Sequence, residues 1–159
     1  MGSLQLALRD RLGQDPTIVG APPAALGFGV YDRWLTPTGP GAVKEAFTDS
    51  GKLRRSIVIL EPDEVASGAQ RPGWGLQRAY AGPILYCFAE AHASGREALE
   101  QLYRRAVLLL NGWTAVLDNG ERPLIEVADG RSGARDDESF PGNLRTEIRL
   151  RANWLRSLS

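Results

Sequence analysis

Apolar and polar residues alternate most cleanly at the end of the chain. Leu144, Thr146, Ile148, Leu150, Ala152 and Trp154 interleave with Arg145, Glu147, Arg149, Arg151 and Asn153. A period of two over eleven residues predicts a strand about 35 Å long, with one face in a core and the other facing water or a charged partner. Helical spacing shows twice. Leu4, Ala7, Leu8 and Leu12 form one apolar stripe, with Ser3 as a candidate cap and Gly13 and Asp15-Pro16 as the stop. Leu99, Leu102, Tyr103, Ala106, Leu109 and Leu110 form a second, behind the capping-box pattern Ser94-Gly95-Arg96-Glu97 and ahead of Asn111-Gly112. That predicts a long helix over about 95–110.

Short apolar runs supply the other predicted strands: Phe28–Leu35, the β-branched Ser56–Leu60, and Ile84–Ala89 after Pro83. Trp113–Leu117 and Pro123–Val127 flank Asp118-Asn119-Gly120-Glu121, whose Asn-Gly predicts a hairpin turn. Thr36–Arg55, Pro62–Gly82 and Asp129–Gly142 read as loops, long ones for a compact domain. The expected fold is one α+β domain over residues 1–159. It has a mostly antiparallel sheet, a long helix packed on one face, a short N-terminal helix and long inter-strand loops. Loops of that size mean either that they hold regular elements which the pattern does not show or that they find order on a neighbouring subunit.

Composition narrows the chemistry. The 159 residues are 43% hydrophobic and 24% charged, with 19 basic residues balancing 19 acidic ones. A neutral chain lacks the basic surplus of a general nucleic-acid binder. A lone cysteine, Cys87, excludes an intramolecular disulfide, and with one histidine, His92, it excludes a zinc site built from several Cys and His of one chain. No apolar run reaches membrane-spanning length and no basic-then-apolar leader opens the chain, so an intracellular soluble product and no membrane partner are expected. Phosphate-loop, dinucleotide-binding and nucleophile-elbow motifs are absent. No catalytic set, metal or cofactor is therefore assigned.

The candidate sites are surfaces. Arg145, Arg149 and Arg151 share the polar face of the last strand with only Glu147 to offset them, and the acidic run Asp136-Asp137-Glu138 lies just before it. Such an arrangement suits either a solvated face or a charge-complementary contact between copies of the chain. Trp74, set between glycines in a long loop, is a candidate interface anchor, whereas Trp34, Trp113 and Trp154 are expected in the core. Cys87, inside an apolar strand, is expected to be inert.

The order of a short N-terminal helix, a strand at Val30-Tyr31-Asp32, strands at Ile57–Glu61 and Ile84–Ala89, a capped helix over 95–110 and terminal strands ending in Arg145–Arg151 resembles the tail terminator, or tail completion, proteins of long-tailed bacteriophages. The resemblance spans nearly the whole chain and rests on order, size and pattern. It implies a virion subunit, assembled in the host cytoplasm, that forms a ring, typically a hexamer. The implied partners are further copies of itself, the tail tube protein and a head-side neck protein, and DNA passes through the ring without sequence-specific binding. Other readings stay open: a different neck or head-completion protein, an assembly chaperone, a small α+β enzyme or ligand-binding domain using His92 with Asp136 or Asp137, or a nucleic-acid module.

Overall fold

A computed structural model describes residues 2–20, 26–61, 65–67, 76–130 and 134–157. Its elements run α1 (Gly2–Gly13), α2 (Pro16–Val19), β1 (Gly29–Tyr31), a 3-10 turn (Lys44–Ala46), β2 (Ser56–Leu60), β3 (Val65–Ser67), β4 (Leu76–Ala81), β5 (Ile84–Glu90), α3 (Ala93–Leu110), β6 (Leu124–Gly130), β7 (Arg135–Asp136) and β8 (Asn143–Ser157). Among the described residues the strands form one eight-stranded sheet, antiparallel except where β1 pairs with β2 in parallel. This is the α+β class the sequence predicts.

One register organises the sheet. β4 pairs with β8 from Leu76↔Ser157 to Ala81↔Ala152, and β5 continues without slippage from Ile84↔Arg149 to Glu90↔Asn143. β4 and β5 thus form a single long run against β8, interrupted at Gly82-Pro83, because Pro83 has no N–H to donate. The other half of that rung survives, since the Leu150 N–H donates to the Pro83 carbonyl at 2.9 Å. β6 and β7 pair along the opposite edge of β8, with a bulge between Val127 and Asp129.

Alternation sorts the side chains into two cores. On one face Ile57, Ile59, Leu85, Cys87, Ile148, Leu150, Ala152 and Trp154 meet Leu4, Leu8 and Leu12 of α1 and Leu99, Leu102, Ala106 and Leu110 of α3. On the other face Val58 and Phe88 meet Leu35, Val43, Ala46, Phe47 and Leu53. That second core favours the first of the two readings of Thr36–Arg55, a segment with structure of its own. The segment is ordered against its own sheet, by the 3-10 turn, by a bridge between Phe47 and Leu53, and by Asn143. The buried Asn143 amide donates to the Leu53 and Ala89 carbonyls at 2.9 and 3.2 Å and accepts from the Leu53 N–H at 3.1 Å.

Other boundaries also differ. Asp15-Pro16 does stop α1, but it also starts α2: the Asp15 carboxylate accepts from the Thr17 and Ile18 N–H groups, and proline suits a first turn whose N–H needs no partner. The strand expected over Phe28–Leu35 keeps only Gly29–Tyr31. The polar stretch Pro62–Gly82, expected to hold no regular element, contains β3 and β4. Trp113–Leu117 is not a strand of the sheet. It lies along β6 through one bridge, Thr114↔Leu124, and the Ala115 N–H bond to the Pro123 carbonyl, while the turn expected at Asn119-Gly120 is present.

Candidate assembly surface

β8 carries the predicted basic face, and the structure divides it. Arg145 is largely covered. Its guanidinium stacks over the Tyr86 ring at 5.4 Å and lies 3.2 Å from Asp137 Oδ2 and 3.4 Å from Glu147. Glu147 also takes Arg135 of β7 at 2.9 Å and Arg149 at 3.8 Å. Arg149 and Arg151 are exposed, and Arg151 has no ion pair among the described residues.

The acidic run divides in the same way. Asp137 is buried, its Oδ1 accepts from the Phe140 N–H at 2.7 Å and its own N–H donates to the Asn143 carbonyl, so it shapes the turn. Asp136 and Glu138 on either side are exposed. The structure therefore brings Asp137 and Arg145 together within one chain and leaves Asp136, Glu138, Arg149 and Arg151 facing outward. Trp74 lies outside the described residues.

Cross-strand register shows what surrounds the exposed arginines. Leu155 faces Arg78 of β4, Asn153 sits between Tyr80 and Leu124, Arg151 is opposite Glu126, and Arg149 sits between Ile84 and Asp129. Leu155 is 57% exposed. Sequence inspection missed Leu155 and Arg78 as surface residues. The first left a signal, because a leucine at 155 occupies the polar phase of the alternation. The second left none, because β4 reads as loop. Trp34, expected in the core, is 38% exposed and packs edge-on against Tyr86 and Phe88 at the rim of the second core. Trp154 is buried as expected, its indole N–H donating to Glu121.

His92 has a structural task. It is the N-cap of α3 and replaces the expected Ser94. Its Nδ1 accepts from the Gly95 N–H at 3.1 Å and lies 2.8 Å from the Ser94 hydroxyl, and its Nε2 lies 3.5 Å from Glu90. It borders a polar recess of about 290 Å³ with Thr48, Arg54, Arg55 and Glu90, and shares a second recess with Arg96 and Asp136. Cys87 is fully buried, and burial pushes its thiol up to about 12, which keeps it protonated and unreactive at neutral pH. Among the described residues no three His, Cys, Asp or Glu side chains cluster closely enough to hold a metal, and no helix is long and apolar enough to cross a membrane.

The arrangement of one twisted sheet, helices on one face and a folded-back segment on part of the other recurs in known structures. A chain of the virion of a native gene transfer agent particle superposes with a TM-score of 0.63, over 98% of this chain and 96% of that chain, at 19% sequence identity. The two share a fold from end to end. No family model matches the sequence, and no curated protein matches it.

Proposed function

We propose that this chain is a virion structural subunit, and that it acts as a tail terminator: a ring, of hexameric type, that caps the tail tube and joins it to a head-side neck protein. One observation carries the reading. A fold matched over nearly the full length of both chains belongs to a component of a virion particle. The resemblance in element order to tail terminators supports the finer role. Exposed Arg149, Arg151, Asp136 and Glu138 are the residues proposed to face neighbouring subunits, and Trp74 is proposed as an anchor in the same assembly. A formal charge of zero suits a conduit, since each phosphate neutralised would add a salt-sensitive grip on passing DNA.

Light scattering on the purified full chain, with negative-stain images of the same sample and of the sample mixed with tail-tube ends, tests the proposal. Ring-shaped particles, or caps seated on tube ends, are expected. A strict monomer that also fails to bind tube ends overturns it. Labelled antibody on intact virions then locates the subunit, and a position away from the tail–neck junction overturns the terminator role while leaving the virion role standing.

A further inference from the structure

We infer that the open half of the outer sheet face is the docking surface for a second copy of this chain, and that the part of the copy that lands on it is the acidic turn at Asp136 and Glu138. The biological setting rests on the ring assembly proposed above; the contact rests on the following geometry.

Among the described residues the outer face of the sheet is half covered. The second core closes it over β1, β2 and the start of β8, where Val58, Phe88, Phe47, Leu53 and Phe140 pack together. Beyond Tyr86 no described residue of the second core lies over the face, which continues through Ile84, Arg149, Arg151, Leu155 and Arg78. Arg78 and Arg151 are exposed and have no ion pair among the described residues. Arginine beside exposed leucine is the chemistry of a protein interface, where the guanidinium stem and fork both find contacts. A surface for DNA would be continuously basic, whereas Glu126 and Asp129 of β6 flank these arginines.

The complementary surface lies on the same chain but out of its own reach. Asp136 pairs in register with Leu144, seven residues along β8 from Arg151. At about 3.3 Å per residue that is roughly 23 Å, too far for a direct contact within one molecule. Asp136 also opens onto the recess with His92 and Arg96 at the base of α3, on the helix side of the sheet, while Arg151 points from the opposite face. Two complementary patches on opposite faces and at opposite ends cannot meet their partners in one two-fold contact. They do so head to tail, which is the heterologous geometry that closes rings. The acidic turn is also preorganised, by the bonds from Phe140 N–H to Asp137 Oδ1, from Asp137 N–H to the Asn143 carbonyl and from Asn143 N–H to the Phe140 carbonyl. Little ordering remains to be done on contact.

Charge reversal in the full-length protein tests the contact. Two variants, Arg78→Glu with Arg151→Glu, and Asp136→Lys with Glu138→Lys, are each compared with wild type by light scattering and native mass spectrometry, with circular dichroism confirming the fold. Each alone is expected to weaken self-association by about tenfold or more. An equimolar mixture of the two is expected to co-assemble, and one chain carrying all four changes to recover. Leu155→Ser, which changes no charge, is expected to weaken association at any salt concentration and covers the case in which a reversal variant fails to fold. Wild type that assembles while every folded variant assembles equally well, or reversal variants that do not rescue each other, overturns the contact and leaves the ring standing. Loss of duplex-DNA binding in the arginine variant with assembly intact overturns it in favour of a nucleic-acid face. A wild-type chain that never self-associates overturns the ring reading itself.

Discussion

Asp15 ties three elements together. It ends α1, caps α2 through two N–H groups, and takes the fork of Arg105 on α3 at 3.2 and 2.5 Å. The hydrogen bond from Arg105 holds its carboxyl below the ordinary aspartate value, against the opposing pull of burial. A folded-state value below the unfolded one adds stability that is complete above the ordinary value of about 3.9 and disappears as pH falls through the folded one. Asparagine caps a helix nearly as well as aspartate, so Asp15→Asn isolates the charge. In urea titrations it is expected to be less stable than wild type at pH 7, with the gap closing as pH is taken below the aspartate range. Asp15→Ala loses the cap as well and is expected to cost about 1 kcal/mol more. Asn143 is the other residue of this kind. Asn143→Ala strands the Leu53 N–H and two carbonyls, is expected to cost about 2–4 kcal/mol, and should open the 36–55 segment to limited proteolysis. Neither role is legible in sequence, where Asp15-Pro16 reads as a helix stop and Asn143 as the edge of a charged loop.

Among the elements, α3 shows how far local signals reach. Its apolar stripe, its length and its C-terminal stop follow from spacing alone, because side chains at helical intervals must share the face that meets the sheet. Its start does not. The capping-box pattern places the cap at Ser94, but His92 takes the position because the strand before it delivers the backbone of Glu90 against the first turn of the helix. Gly95 sits in that approach, and a Cβ there would lie 2.0 Å from the Glu90 carbonyl oxygen. Helix propensity alone predicts that Gly95→Ala gains about 1 kcal/mol. The structure predicts a loss of about 2 kcal/mol or more, since backbone must move, and thermal denaturation decides between the two signs. β4 is hidden for a related reason. Its core-facing Ala79 and Ala81 lie opposite Trp154 and Ala152, so the apolar bulk of that layer belongs to β8 and little periodicity remains in Leu76–Ala81.

For the molecule as a whole, the consequential difference is the fate of the longest loops. Residues 36–55 fold onto their own sheet, so the amides of Phe47, Leu53 and Arg54, bonded to Lys44, Asn143 and Ala46, are expected to resist hydrogen exchange equally in dilute and assembled protein. Protection that develops only on assembly would show instead that this segment is ordered by a neighbour. The sequence by itself determined the α+β class, the long helix, the terminal strand with its buried and charged faces, and the turn at Asn119-Gly120. All of these depend on interactions between residues close in the chain or on a period that any core must respect. Tertiary structure alone decided that Asp137 and Arg145 are spent on each other while Asp136, Glu138, Arg149 and Arg151 remain outward. It also decided that a polar loop becomes β4 and that a twenty-residue connection becomes a second core. Each of those outcomes depends on which distant strand or segment lies alongside, and chain spacing carries no record of that.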